Sequence, residues 1–93
     1  MRQTLKWLIA GSRGGDNRLR IIRTLNEQPF NRNQLAKQLE LDYTTVQYHL
    51  DVLVKQNVVD SQDEKYGKLF FLTEQMHGNM DLLDEIAEQT GIE

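Results

Sequence analysis

The sequence contains no cysteine among its 93 residues. The chain therefore has no disulfides, no thiolate metal ligands and no cysteine nucleophile. Proline occurs once, at Pro29, and predicts the end of a helix there. No apolar run approaches the roughly 20 residues of a membrane span. These absences predict a single soluble domain in the cytoplasm, without a membrane partner.

Groups for catalysis are equally scarce. Serine occurs only at Ser12 and Ser61, and no Ser-His-Asp grouping is visible. The stretch GSRGG lacks the preceding strand and the following Lys-Ser/Thr of a phosphate-binding loop. His77 has carboxylates nearby in the sequence, but one histidine with carboxylates is a weak metal pattern. We therefore predict that the chain is not an enzyme and has neither a metal nor a cofactor.

Positive charge is in the minority, and its distribution is uneven. The net charge of −3 combines a mildly basic body with an acidic tail. Residues 1–60 hold nine Lys and Arg against six Asp and Glu, whereas residues 61–93 hold two against eight. The first balance is +3 and the second is −6. A chain of this kind can still bind phosphates locally through its basic part.

Hydrophobic periodicity predicts five helices and one hairpin. Helices are expected at about 2–10, from an Asp16 N-cap to Glu27, from an Asn31–Gln34 capping box, from an Asp42 N-cap, and at about 79–90. Before the second helix, GSRGG predicts a flexible break. Within that helix, Arg18, Arg20 and Arg23 are expected to be solvated. The segments VVDSQ and KLFFLT predict two strands joined by DEKYG, with Gly67 available for a positive φ.

The order of these elements predicts a fold that is mostly α with a β-hairpin wing. Two short helices joined by a tight turn and followed by a hairpin form a winged helix-turn-helix. We predict one domain over 1–93, with a core at 16–73 and dimerisation helices at about 2–10 and 79–90. In this layout the second helix of the pair enters the major groove of DNA, and the hairpin reaches the backbone or the minor groove.

The stretches QLAKQLELDYTTVQYHLDVL and NVVDS carry a family resemblance that covers about residues 16–73. The chain resembles the ArsR-like winged-helix transcription regulators, particularly their small archaeal members. The family pattern has an Ala in the first helix of the pair, Thr-Val near the start of the second, and His-Leu three residues later. These positions are Ala36, Thr45-Val46 and His49-Leu50 here. The resemblance implies a homodimer, built from the first and last helices, that represses or activates transcription at a pseudo-palindromic site.

Two departures from the family pattern limit what the resemblance implies. Many relatives have Gly in the turn where this chain has Glu40, so the turn is expected to be looser or strained. Many metal-sensing relatives use cysteines, which this chain lacks. The resemblance therefore implies no metal sensor and leaves any effector ligand unknown. The RGG before the second helix resembles the archaeal subgroup.

The fourth helix presents hydroxyl, amide and aromatic side chains opposite its core-facing stripe. Gln pairs bidentately with adenine, Thr contacts a base or a thymine methyl, and Tyr bonds phosphates. An ordinary polar helix surface would more often carry Lys and Glu, and neither occurs between Tyr43 and Leu50. His49 alone could sense pH or bind metal, but packing at the core edge with donation to a phosphate or backbone group is favoured. The predicted contacts with double-stranded DNA are Asn31, Arg32, Tyr43, Thr44, Thr45, Gln47, Tyr48, His49, Lys55, Lys65, Tyr66 and Lys68.

The terminal helices carry more apolar side chains than a small core needs. Exposed apolar patches mark association sites, and we predict a homodimer. The predicted interface residues are Leu5, Trp7, Leu8, Ile9, Met80, Leu83, Ile86 and Ala87. An alternative function is a winged-helix module for protein–protein interaction in a transcription or other complex, which the acidic balance favours.

Overall fold

The computed structural model describes residues 1–92, and Glu93 lies outside the described residues. These residues form six helices and one antiparallel hairpin, which lies between the fourth helix and the fifth. The helices are α1 (Arg2–Ile9), α2 (Gly15–Glu27), α3 (Arg32–Leu39), α4 (Tyr43–Lys55), α5 (Glu74–His77) and α6 (Met80–Thr90). The strands are β1 (Val59–Glu64) and β2 (Gly67–Leu72), paired from Val59↔Leu72 to Glu64↔Gly67. The predicted winged helix-turn-helix is confirmed.

The predicted helix starts are correct at α3 and α4 but not at α2, although the Asp42 side chain forms no capping hydrogen bond. Asn31 accepts a hydrogen bond from the Gln34 backbone N–H, and the Gln34 side chain accepts one from the Asn31 backbone, so the predicted capping box is confirmed. The predicted start of α2 is wrong, because Gly14 rather than Asp16 is the N-cap residue. The short helix α5 was not predicted. Its N-cap is Thr73, whose hydroxyl accepts a hydrogen bond from the Met76 N–H.

One hydrophobic core is shared by all the helices and the hairpin. Each helix contributes the residues of its inward stripe, such as Leu19 and Ile22 from α2 and Leu50 and Leu53 from α4. The hairpin adds Val59 and Leu72, which are paired across the strands and buried. A backbone bridge between Phe30 and Phe70 ties the hairpin to the segment before α3. The wing is therefore anchored at its base beside the helix-turn-helix.

The glycine-rich segment breaks the helical structure between α1 and α2 as predicted, and its last two residues are packed closely against neighbouring elements. Gly14 has φ 83°, and a Cβ there would lie 2.5 Å from Cε1 of His49. A Cβ on Gly15 would collide with the backbone of Ile9. Arg18, expected in solvent, is only 1% exposed and bonds to this segment. The two glycines are needed because the backbone lies against α1 and α4.

The side chains predicted for the dimer interface need a correction. Six of them lie in the chain's own core with at most 1% of their surface exposed: Leu5, Leu8, Ile9, Leu83, Ile86 and Ala87. They are buried because α1 and α6 pack against the rest of the chain and against each other. Trp7 is 49% exposed and Met80 is half-buried. Only these two of the eight retain much surface for a partner.

Two surface ion pairs add to the packing of α6 against the other helices. Arg2 of α1 binds Glu85 at 2.8 Å, and Arg23 of α2 binds Asp84 at 3.1 Å. Pairs this exposed contribute little to stability, about 0–1 kcal/mol each. Within residues 1–92, every helix is too short or too polar to cross a membrane.

Candidate nucleic-acid interface

The outward face of α4 presents the side chains that the sequence predicts for base contacts. The opposite face of the helix is buried in the core through Val46, Leu50 and Leu53. This burial determines which side of α4 faces outward. Tyr43 is 42% exposed and Tyr48 61% exposed, with Thr44 exposed beside them. Gln47 is half-buried on the same side. The face combines hydroxyl, amide and aromatic groups and carries no Lys or Glu before Lys55.

A small cleft lies where the tip of the hairpin approaches the starts of α3 and α4. One side of the cleft is lined by Asn31, the N-cap of α3, and by Arg32 and Asn33 in the first turn of that helix. Tyr43 lines it from α4. Tyr66, Gly67 and Lys68 line it from the hairpin. Its volume is about 60 Å³. Five of the predicted DNA contacts are thus brought together at one place: Asn31, Arg32, Tyr43, Tyr66 and Lys68.

Arg32 is the central group of this cleft. Its Nη1 donates to the Tyr43 hydroxyl at 3.2 Å. Its guanidinium carbon lies 5.3 Å from the centre of the Phe70 ring, a cation–π distance. Its Nε is buried and lacks a hydrogen-bond partner, alone among the buried side-chain N and O atoms of residues 1–92. A buried donor without an acceptor is costly, and the side chain that carries it lines the cleft.

The turn between α3 and α4 is tight, and Glu40 holds it in a left-handed conformation with φ 55° and ψ 47°. Arg20 of α2 supports the turn, because its Nη2 donates to the Leu39 carbonyl at 2.7 Å. The strained alternative predicted for this turn is therefore the one observed. The support from Arg20 could not be predicted, since a surface arginine has the same sequence context whether or not it meets a carbonyl.

Four of the predicted DNA contacts lie apart from the cleft and the outer face of α4. Lys55 is exposed at the far end of α4, about 18 Å along the helix from Tyr43. Thr45 is half-buried. His49 is only 5% exposed and faces α2, so its assignment as a DNA contact is corrected. Lys65 is exposed at the wing turn beside the Tyr66 ring.

His49 instead contacts a buried arginine. Arg18 Nη1 lies 3.2 Å from His49 Nδ1. Burial lowers the pKa of the His49 imidazole below its ordinary value, the neighbouring Arg18 lowers it further, and Asp16 acts in the opposite direction. The ring is therefore neutral near pH 7. The sequence contains one signal for this packing, because Gly14 and Gly15 allow another element to approach the backbone closely. Nothing in the sequence pattern identifies His49 as the residue that does so.

His77 and the acidic residues near the start of α6 do not form a cluster of potential metal ligands. Within residues 1–92, no three His, Asp or Glu side chains are grouped as metal ligands.

Comparisons with known proteins agree with this geometry. A family model described as "Bacterial regulatory protein, arsR family" matches residues 15–61, about half of the chain. That segment includes α2, the helix-turn-helix and the start of β1. Among curated proteins, no sequence matches.

Several solved structures share the fold. The adhesin competence repressor AdcR from Streptococcus pyogenes has 23% identity and a TM-score of 0.64, over 77% of this chain and 54% of that one. The transcriptional regulator HlyU from Vibrio vulnificus CMCP6 has 23% identity and a TM-score of 0.68, over 78% and 77%. BpsR from Bordetella bronchiseptica, whose DNA binding is regulated by 6-hydroxynicotinic acid, has 16% identity and a TM-score of 0.74, over 97% and 67%. The chain spans about half the length of AdcR, and identities this low establish the fold alone.

Proposed function

Because the chain belongs to the arsR family of bacterial regulatory proteins, we propose that it is a sequence-specific DNA-binding transcription regulator that acts as a homodimer. The observation that carries this proposal is the outward face of α4. Tyr43, Thr44 and Tyr48 are exposed there, on the second helix of a helix-turn-helix, which is the element that enters the major groove.

The side chains on this face match base and phosphate chemistry. Gln47 can form a bidentate pair with adenine, and Thr44 can contact a base or a thymine methyl. The two tyrosine hydroxyls suit phosphate oxygens. A helix intended only for solvent would gain nothing from two exposed tyrosines, since exposed aromatic surface is costly in water.

The cleft around Arg32 supports a phosphate contact that fixes the register of α4 on the duplex. A phosphate at this point would meet the positive charge of the Arg32 guanidinium, because Arg32 lines the cleft. Lys68 lines the same cleft and adds a second positive charge. The start of α3 contributes the positive end of its helix dipole. Lys65 and Tyr66 at the wing turn extend this surface toward the neighbouring phosphates of the DNA.

The homodimer remains our proposal, with its interface moved to the exposed surface of α1 and α6. Trp7 and Met80 supply the apolar part of that surface. A dimer that binds two half-sites has to hold its two copies of α4 about one DNA turn apart, roughly 34 Å. Two half-sites would double the contact area, and the two-fold symmetry predicts a pseudo-palindromic operator.

The subgroup of the family and the cellular location are also proposals. The small archaeal subgroup is proposed from the Arg13-Gly14-Gly15 segment, and action in the cytoplasm follows from binding DNA. We propose no catalytic activity, because the family is one of regulatory proteins.

The alternative, a winged helix that binds another protein, is favoured by the net charge of −3. Most acidic residues of the chain lie after residue 60. They would repel a DNA backbone if they faced it. The two functions differ in how binding depends on salt, because only phosphate contacts release condensed counterions.

Selection of binding sites from random double-stranded DNA, followed by titration at several salt concentrations, tests the proposal. We expect an enriched sequence with two-fold symmetry, and an affinity for it that falls steeply with salt. The slope should be about 0.9 for each phosphate contacted. No enrichment and no salt-dependent DNA binding would favour the protein-interaction alternative.

A further inference from the structure

Arg18 joins the start of the chain to the recognition helix α4. Its Nε donates to the Leu8 carbonyl of α1 at 2.7 Å, and its Nη2 donates to the Arg13 carbonyl at 2.8 Å and to the Ser12 hydroxyl. Its Nη1 meets the His49 ring of α4. The guanidinium also lies 5.8 Å from the centre of the Trp7 ring. One side chain thus contacts α1, the α1–α2 segment and α4.

The chemistry of the guanidinium fixes the state of His49. An arginine has donors and no acceptor, so His49 Nδ1 must accept and its proton must be on Nε2. On its other side the ring faces Gly14, where even a Cβ would be too close. Among the described residues, Arg18 forms no ion pair with a carboxylate. The imidazole is therefore held by one bond that exists only while the ring is neutral.

We propose that Arg18 is a positioning residue that holds α4 in its DNA-binding orientation through His49, and that DNA binding requires the neutral imidazole. This inference rests on the proposed function and adds to it a connection between the α1 surface and the recognition helix. Arg18 touches no DNA in this proposal, since it is only 1% exposed.

Protonation of His49 would break this arrangement. The added Nδ1 proton would face the Arg18 guanidinium, and two positive charges would share a buried site. The other groups around the ring are Asp16 in the first turn of α2, which favours the charged form, and the adjacent Tyr48, whose ring lies 5.2 Å away at 64°. The net effect of these groups is a lowered pKa for His49. The exposed carboxylate of Asp16 therefore does not offset the effects of burial and of the Arg18 charge.

The lowered pKa also has a consequence for stability. The folded chain takes up the proton less readily than the unfolded chain does, so unfolding binds a proton in the window below the ordinary pKa of about 6.5. The contribution to stability is complete above about pH 6.5 and is lost as the pH falls through the folded pKa. Acidification should therefore loosen the contact between α2 and α4.

The sign of the pH effect on DNA binding separates this proposal from a direct phosphate contact. A histidine that donates to phosphate binds DNA better when charged, so affinity would rise on acidification. A histidine that must stay neutral for Arg18 gives the opposite slope, with a limit of about tenfold per pH unit for one proton. Histidine is the side chain that ordinarily changes charge between about pH 5 and 8, and the sequence contains two histidines and no cysteine.

Affinity for the selected duplex, measured from pH 5.5 to 8.0 at constant ionic strength, tests the proposal. His49→Asn keeps an acceptor near the Nδ1 position, does not titrate and has similar helix propensity. His77→Asn makes the same change at the exposed histidine of α5. We expect the wild type and His77→Asn to weaken together as the pH falls. The affinity of His49→Asn should change by less than about twofold, a small fraction of the one-proton limit.

A wild-type affinity that rises or stays flat on acidification overturns the proposal, as does a His49→Asn variant with the wild-type slope. His49→Phe, which keeps a ring but removes the acceptor, should bind more weakly than His49→Asn at every pH; equal binding by the two variants also overturns it.

The free protein gives a readout that does not depend on DNA. Nitrogen chemical shifts of His49 should report the Nε2–H tautomer at neutral pH. The amide signals of α4 should titrate with the ring in the wild type and stay constant in His49→Asn. Absence of this shared titration overturns the positioning role. Failure to bind any DNA while the shared titration persists would instead count against the proposed function.

Discussion

At the scale of single residues, Glu40 concentrates the backbone strain of the helix-turn-helix. It is one of two non-glycine residues with positive φ among the described residues, and the other, Asn57, is a type that tolerates this conformation. Four hydrogen bonds hold the turn. The Glu40 N–H donates to the Ala36 and Lys37 carbonyls, the Leu41 N–H donates to the Ala36 carbonyl, and Arg20 donates to the Leu39 carbonyl. The turn therefore keeps its geometry despite its residue type.

Replacing Glu40 by glycine should stabilise the fold. The left-handed conformation costs a side-chain-bearing residue about 1–2 kcal/mol, and the extra freedom of glycine in the unfolded chain returns about 0.4–1 kcal/mol of that. We expect the free energy of unfolding to rise by about 0.5–1 kcal/mol in urea denaturation. The control Glu88→Gly, inside α6, should lower it by about 1 kcal/mol. Equal losses in both variants would show that the turn is not strained.

Gln47 is the residue that most directly tests base recognition. Gln47→Ala should weaken binding to the selected sequence by about 1–3 kcal/mol and leave binding to random DNA nearly unchanged, because removal of a bidentate pair affects only the matching base. Gln75→Ala, the same change at an exposed position of α5, should affect neither. Fluorescence anisotropy with both duplexes measures this. Equal losses on the two duplexes would contradict the assignment.

At the scale of elements, the hairpin combines a buried base with an exposed tip. Phe70 and Leu72 are buried, whereas Tyr66 at the turn is 90% exposed. Gly67 has φ 127°, a conformation that side chains rarely adopt, so the turn between Glu64 and Gly67 depends on it. The base fixes the direction of the wing, and the tip is free to contact a ligand.

Lys65→Ala combined with Lys68→Ala tests whether the wing contacts phosphates. These lysines are the only Lys or Arg residues after residue 60. Removing one lysine–phosphate interaction should reduce the salt slope by about 0.9, so the double variant should reduce it by about two per chain, and affinity should fall for all sequences alike. Lys6→Ala on α1 is the matched control. An unchanged slope in the double variant would show that the wing stays off the DNA.

The elements themselves could be predicted from the sequence because local signals determine them. The Asn31–Gln34 box and the Val46–Leu50–Leu53 stripe each specify a cap or a face from neighbouring residues. Arg18, Arg20 and Arg23 show the limit of such signals. They occur within one polar pattern, yet one is buried against His49, one supports a turn and one pairs with a distant acid. Their roles depend on which elements meet in space, which local patterns do not encode.

At the scale of the whole molecule, the arrangement of charge is compatible with DNA binding despite the net charge of −3. The cleft and the wing turn bring together Arg32, Lys65 and Lys68. The acids of α6 belong to a different element, and two of them pair with Arg2 and Arg23. The surface we propose for the partner copy is thus acidic and apolar, whereas the surface we propose for DNA is locally basic.

The proposed homodimer interface depends on Trp7 of α1. Trp7 is 49% exposed, and the other large exposed apolar side chains of residues 1–92 are tyrosines of α4 and the wing. Because an exposed tryptophan gains from burial in an interface, we expect the wild type to be a dimer at tens of micromolar in sedimentation. We expect Trp7→Glu to be a folded monomer that loses specific DNA binding.

Tyr66→Glu, at the wing tip, should stay dimeric. Leu83→Glu should unfold the chain, since Leu83 is 0% exposed and a core carboxylate has no partner there. A monomeric wild type, or a Trp7→Glu variant that stays dimeric, would mean that the copies meet elsewhere.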